Sequence, residues 1–129
     1  MSKMKPEIKK MWIDALRSDN YDQTQGHLCE MDINGVARWC CLGVLTDLAI
    51  KNGVDIDIER SAHFENILIF DQSSEILSPS VMEWAGMESS SGDYTYDYYE
   101  GDYLTSTLVE DNDNGQSFRQ IADTIEMYF

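Results

Sequence analysis

The sequence predicts an α+β fold in one small domain spanning 1–129: an N-terminal helix, a β-hairpin running into a second helix, a small antiparallel sheet and a C-terminal helix pair. Three observations predict it. Apolar residues recur at helical spacing near both ends, an Asn34-Gly35 pair separates two short strand-like runs, and 129 residues suit one hydrophobic core better than two.

The first helix is expected over about Lys5 to Ser18, where Ile8, Met11, Trp12, Ala15 and Leu16 fall on one face at i, i+3, i+4, i+7 and i+8. Pro6 suits its first turn, in which a missing N–H costs nothing. Asn34-Gly35, lying between His27–Asp32 and Val36–Cys41, signals a two-residue type I′ hairpin turn. That turn would set Ile33 opposite Val36, Met31 opposite Arg38 and Cys29 opposite Cys40. From Cys41 to Ile50 the chain reads as a helix that stops near Asn52-Gly53.

Ile67 to Phe70 is an apolar run fit for a buried strand, paired with Val54–Ile58 or with the hairpin. Ser78, Pro79 and Gly86 then read as cap, first turn and stop of a short helix through Val81, Met82, Trp84 and Ala85. About 88–104 reads as an acidic, tyrosine-rich loop or irregular hairpin. The tail reads as a helix over Ser106–Asp111, a turn at Asn112-Asp113-Asn114-Gly115, and a helix from Ser117 to about Met127 with Ser117 and Gln120 as a capping box.

The charge distribution is the strongest functional signal. Residues 61–129 carry fourteen acidic side chains and one basic one, Arg119, so that half holds −13 of the net −15. A surface of one sign repels nucleic acid and anionic membrane and attracts the proteins that bind them. With 43% apolar residues the chain is too hydrophobic for a disordered acidic tail, no run approaches the length of a membrane span, and no apolar signal core follows the first lysines. A cytosolic protein with Cys29, Cys40 and Cys41 as buried reduced thiols is the expectation.

Two clusters carry the candidate partner-binding residues. Asp93, Tyr94, Tyr96, Asp97, Tyr98, Tyr99, Glu100, Asp102 and Tyr103 interleave tyrosines with carboxylates. Tyrosine offers rigid contact area with a polar tip, and carboxylates meet arginine and lysine through charge-assisted bonds. Packing of the same tyrosines back on the body is the plainer reading. Glu110, Asp111 and Asp113 form the second cluster, in the expected turn of the tail. A carboxylate array of this kind suits a mimic of nucleic-acid charge.

Other chemistries are weaker. His27, Cys29 and Cys40 would share a hairpin face but lack the C-x₂-C spacing of structural zinc modules, so no metal is expected there. Asp111 to Gly115 hints at a calcium loop, yet Ile121 then stands where a bidentate glutamate belongs. Cys41 is a conceivable nucleophile with His27 or His63 as base, but its apolar flanks read as core, and no catalytic residue or cofactor is assigned. Gly115 to Ala122 echoes a helix-turn-helix whose second helix sets Arg119 against Asp123 and Glu126, which argues against DNA binding.

Trp12-x-x-Ala15-Leu16-Arg17-Ser18, Tyr21, Gly26-x-Leu28, Cys40-Cys41-Leu42-Gly43-Val44-Leu45, Trp84-Ala85-Gly86 and Leu108-x-x-x-Asn112-Asp113-x-Gly115-x-Ser117-Phe118-x-x-Ile121-Ala122 resemble a family of small proteins encoded by tailed bacteriophages and prophages. Asp111 stands where that resemblance leads one to expect an apolar residue, and the tyrosine-acid segment looks like an insertion. The resemblance implies a phage accessory protein, hence one of the bacterial host cytoplasm, and carries over no catalytic residues. The charge, with the analogy of small acidic phage proteins that dock on the nucleic-acid grooves of host defence complexes, leads to the expectation that it binds and inhibits a basic host protein or nucleoprotein complex, such as a restriction or CRISPR defence enzyme. The alternative is a small-molecule binder that sequesters a nucleotide immune signal in a pocket framed by the hairpin and Trp39; a structural or host-takeover protein without mimicry comes third.

Overall fold

The structure is a computed structural model that describes residues 4–64, 66–99 and 101–129, with the backbone alone of residue 98. Its elements run α1 Pro6–Arg17, β1 Asp22–Gln23, β2 Cys29–Met31, β3 Ala37–Trp39, α2 Cys41–Lys51, β4 Ile58–Arg60, β5 Leu68–Phe70, α3 Pro79–Ala85, β6 Asp93–Tyr99, β7 Asp102–Thr107, α4 Leu108–Asp113 and α5 Phe118–Tyr128. The α+β fold expected from the sequence is present. The strands form three small sheets, ordered β1-β3-β2, β4-β5 and β6-β7, with a bridge between Glu30 and Ile67 joining the first two.

The helices form where the local chemistry asks for them. Ser78 Oγ accepts from Val81 N–H, Pro79 occupies the first turn of α3, and left-handed Gly86 closes it. Ser117 and Gln120 make the reciprocal capping box of α5. Helix α2 is capped by a thiol, Cys40 Sγ accepting from Gly43 N–H at 3.4 Å. Ile8, Trp12, Ile13 and Leu16 of α1 and Phe118, Ile121, Ala122 and Ile125 of α5 are buried, while α2, between them in the chain, is buried over most of its length.

One junction ties these parts together. At Cys41, where β3 gives way to α2, the main-chain N–H donates to Asn112 Oδ1 at 3.2 Å and the carbonyl accepts from Trp12 Nε1 at 2.9 Å. The same Asn112 amide accepts from Gln23 Nε2 at 2.9 Å and donates to the Thr24 carbonyl at 2.7 Å. The Trp12 and Asn112 side chains have no exposed surface. Two residues along, a Cβ on Gly43 would lie 1.8 Å from the Leu28 carbonyl oxygen, so only glycine lets α2 approach the segment that leads into β2. The Leu28 carbonyl is also fixed, accepting the Cys40 N–H at 3.2 Å.

Several sequence expectations are corrected. The first hairpin pairs Cys29 with Trp39, Glu30 with Arg38 and Met31 with Ala37, one residue away from the expected register. Its loop holds three residues: Asp32 N–H bonds the Val36 carbonyl, the Asp32 carboxylate accepts from the N–H of Asn34 and Val36, and Gly35 is left-handed at φ 82°. A type I′ turn needs positive φ at both central residues, and Asn34 does not supply it. Strand β1 pairs in parallel with β3, which two residues of sequence gave no means to anticipate. In the tail the first helix starts at Leu108, two residues late, because β7 continues through Thr107, whose Oγ then caps α4 by accepting from Glu110 N–H at 3.0 Å. Asn112 is therefore inside a helix instead of in the turn.

Two substitutions test the junction. Gly43→Ala is expected to cost about 3 kcal/mol, the upper range for forced overpacking, because the obstacle is backbone. Asn112→Ala leaves the Cys41 N–H and Thr24 carbonyl buried without partners and is expected to cost about 2–4 kcal/mol. Both are checked by chemical denaturation of the variants beside the parent protein.

Candidate functional site

Strands β6 and β7 pair Asp93 with Thr107, Tyr94 with Ser106, Thr95 with Thr105, Tyr96 with Leu104 and Asp97 with Tyr103, then slip at a bulge so that Tyr99 faces Asp102. Alternation along the pair sorts the residues onto two faces. Tyr94, Tyr96 and Ser106 point toward the body and are half-buried, whereas Asp93, Thr95, Asp97, Tyr103 and Thr105 are exposed on the other side. The hairpin is rooted at left-handed Gly92, whose carbonyl accepts the Leu108 N–H at 3.0 Å.

Tyr94 anchors the inner face. Its ring stacks on Tyr128 with centroids 5.2 Å apart and meets Phe129 edge-on at 6.0 Å. Its hydroxyl donates to Asp111 Oδ2 at 2.5 Å, and Ser106 Oγ reaches the other carboxylate oxygen at 3.5 Å. Burial first, and the adjoining Asp111 second, push the Tyr94 hydroxyl up to about 12. It therefore stays a proton donor throughout the neutral range.

Asp111, expected in the partner-binding set, is instead 7% exposed and engaged inside the protein. A carboxylate at this point of α4 survives burial because Tyr94 and Ser106 supply its hydrogen bonds. Tyr94 and Tyr96 are likewise turned partly inward. Asp93, Asp97, Asp102, Glu110 and Asp113 lie on the surface with Tyr99 and Tyr103, while Glu100 and the Tyr98 side chain lie outside the described residues. Asp113 has a local task as well, accepting the Gly26 N–H at 2.8 Å.

Cations hold some of the protein's other carboxylates. Arg17 holds Asp123 at 2.6 Å and Glu126 at 3.4 Å, Arg119 holds Asp19 at 2.8 Å, Lys10 holds Asp14, and Lys51 holds Asp47. Asp123 and Glu126 thus share the one positive charge of Arg17, which offsets half of theirs. Among the described residues no cation pairs with Asp93, Asp97, Asp102, Glu110 or Asp113.

The chain belongs to a family without an assigned activity: a family model described as Domain of unknown function (DUF8296) matches residues 4–129. No curated protein and no solved structure matches it.

The remaining candidate groups are occupied by the fold. The three thiols are free and buried; burial pushes Cys29 up to about 12, Cys40 up to about 11 and Cys41 well above its ordinary value. Cys41 Sγ donates to the Leu108 carbonyl at 3.6 Å. Among the described residues no three histidine, cysteine or acidic side chains are gathered as metal ligands would be, and Asp111 and Asn112 of the suspected calcium loop turn inward. Trp39 does border a cleft of about 640 Å³ with Tyr21, Asp47 and Lys51. Those three polar groups satisfy one another: Tyr21 donates to Asp47 at 2.5 Å, and Lys51 reaches Asp47 at 3.0 Å and Tyr21 at 3.3 Å. No helix among the described residues is long and apolar enough to cross a membrane.

A groove of about 510 Å³ between the start of β6, the segment after α3 and the end of α5 had no counterpart in the sequence reading. Its residues come from distant parts of the chain, and only exposed Met127, an apolar residue on the outer side of α5, could have drawn notice.

The Tyr94–Asp111 bond gives a pH test with a defined sign. Because the folded-state value is raised from 10.0 to about 12, the stability tied to Tyr94 is full below about 10 and is lost as pH rises through about 12. The melting temperature of the parent should fall more steeply over that interval than that of Tyr94→Phe. At pH 7 that variant should be less stable by about 1–3 kcal/mol, having left a buried carboxylate short of a donor.

Proposed function

We propose that this protein is an accessory protein of tailed bacteriophages that acts in the bacterial cytoplasm by docking its acidic hairpin on a basic host protein, in the place of DNA or RNA. The observation that carries the reading is the outer face of β6–β7, where Asp93 and Asp97 stand exposed beside Tyr103 with no cation from the described residues to neutralise them. Asp102 near the tip and Glu110 on the directly following helix extend the same unpaired negative charge. In a chain of net charge −15 such carboxylates attract a lysine- and arginine-rich groove over a Debye length and repel nucleic acid from it.

The likeness of the chain's two ends and its Cys-Cys-Leu-Gly segment to small phage proteins supports the viral setting, and a host defence enzyme such as a restriction or CRISPR complex is the class of target that fits a nucleic-acid decoy. The reading assigns no catalysis. The thiol that could have served as a nucleophile is wholly buried and held in its neutral form, which suits packing.

Affinity capture from host cells expressing defence systems, followed by titration of the purified partner with competing duplex, tests this. Binding should weaken as salt rises and compete with nucleic acid, and the combined change Asp93→Asn, Asp97→Asn, Asp102→Asn should weaken it about tenfold or more while leaving the melting temperature unchanged. Undiminished binding by that variant, or a partner that holds nucleic acid and this protein together, would overturn the reading.

A further inference from the structure

We infer that the open edge of β6 and the methionine-lined groove beside it accept an extended basic segment of the partner protein by strand addition, with one apolar side chain of that segment seated in the groove. This rests on the acidic-docking reading above and gives it a binding mode. Strand β6 pairs with β7 alone; on its second edge the Asp93 N–H is taken by Ser89 Oγ at 2.7 Å, and the edge is open from Thr95 onward among the described residues. Asp93, Tyr94 and Thr95 all border the groove, although consecutive side chains of a strand point to opposite faces. The groove therefore runs along the strand's edge, which is where an added strand would lie.

The floor and ends suit an apolar anchor. Met4 and Met87 are buried at the groove, Met127 is 73% exposed at its mouth, and the stacked rings of Tyr94 and Tyr128 form one wall. Unbranched methionines adapt to the shape of an incoming side chain, as on other peptide-binding surfaces. At about 510 Å³ the groove is larger than a single phenylalanine or leucine side chain requires.

Charge selects the occupant. Among the described residues lining the groove, Glu88 and Asp93 are the charged side chains and none is lysine or arginine, and Asp97 continues the carboxylate row along β6. Of the cations on α1, Lys9 directs its ammonium to the Glu126 carbonyl at 3.1 Å. An anionic lipid surface, a nucleic acid or a second copy of this acidic chain meets repulsion here; a lysine- or arginine-rich strand meets charge-assisted partners on both sides of its backbone. The same carboxylates guard the free edge against pairing with another copy of itself.

The test uses the full chain and short lysine/arginine peptides carrying one central phenylalanine, compared with the same peptides carrying alanine there or N-methylated at alternate residues. Affinity is measured at low and high salt, and amide hydrogen exchange is followed on β6. The phenylalanine peptide should bind about tenfold tighter than the alanine one, protect amides of β6, lose binding on N-methylation, and bind several-fold more weakly to Met127→Ser, a change at an exposed position. If the alanine and N-methylated peptides bind equally well, and Asp93→Asn with Asp97→Asn removes the salt dependence, strand addition is overturned while the acidic docking stands. If the phenylalanine peptide binds with full sensitivity to N-methylation yet ignores salt and the asparagine changes, strand addition stands and the electrostatic reading falls. Absence of binding by every peptide overturns the inference, as does concentration-dependent self-association that Met127→Ser abolishes, which would assign the groove to a second copy.

Discussion

The main chain of Cys41 is held from both ends of the protein: Trp12 near the start donates to its carbonyl and Asn112 near the finish accepts its N–H. These are buried polar groups, so each bond matters less for its own modest net energy than for the desolvation cost of leaving it unmade. The clasp fixes α1, the β1 segment, α2 and α4 with respect to one another. It also gives a physical reason for the sequence around it. Gly43 must lack a side chain to let α2 touch Leu28, Cys40 caps that helix, and the buried thiol of Cys41 reaches the Leu108 carbonyl.

The placement of the acidic hairpin follows from this body. Helix α4, locked inward by Asn112, offers Asp111 one residue earlier as an acceptor for Tyr94, and the Tyr94 ring lies against Tyr128 and Phe129 at the end of α5. One face of the hairpin is thereby committed to packing and the other is left to solvent. The chain folds with so many carboxylates because some are held by cations, Asp19, Asp123 and Glu126 by Arg119 and Arg17 among them, Asp111 is buried with donors, and the others, on the hairpin, on α4 and elsewhere on the surface, stand in water that screens their repulsion.

The sequence made local chemistry legible and long-range arrangement much less so. Ser78, Pro79 and Gly86, and Ser117 with Gln120, act within a few residues of themselves, and those helices formed where they were expected. The first hairpin slipped by one residue because Asp32 stabilises a three-residue loop over the shorter turn that Asn34-Gly35 favours in isolation. Asp111 read as surface charge since its partner, Tyr94, is brought to it only by the hairpin. The β6 groove draws on Met4, Met87 and Met127, too far apart in the chain to form any pattern.

A rigid body clasped at Cys41, presenting a hairpin with one free edge, has a direct signature in native-state hydrogen exchange. The Cys41 amide should exchange only through global unfolding, with denaturant dependence equal to that of the whole protein, while amides on the open edge of β6 exchange orders of magnitude faster through local fluctuation. A Cys41 amide that exchanges by local opening, or a β6 edge as protected as the core, would contradict the account.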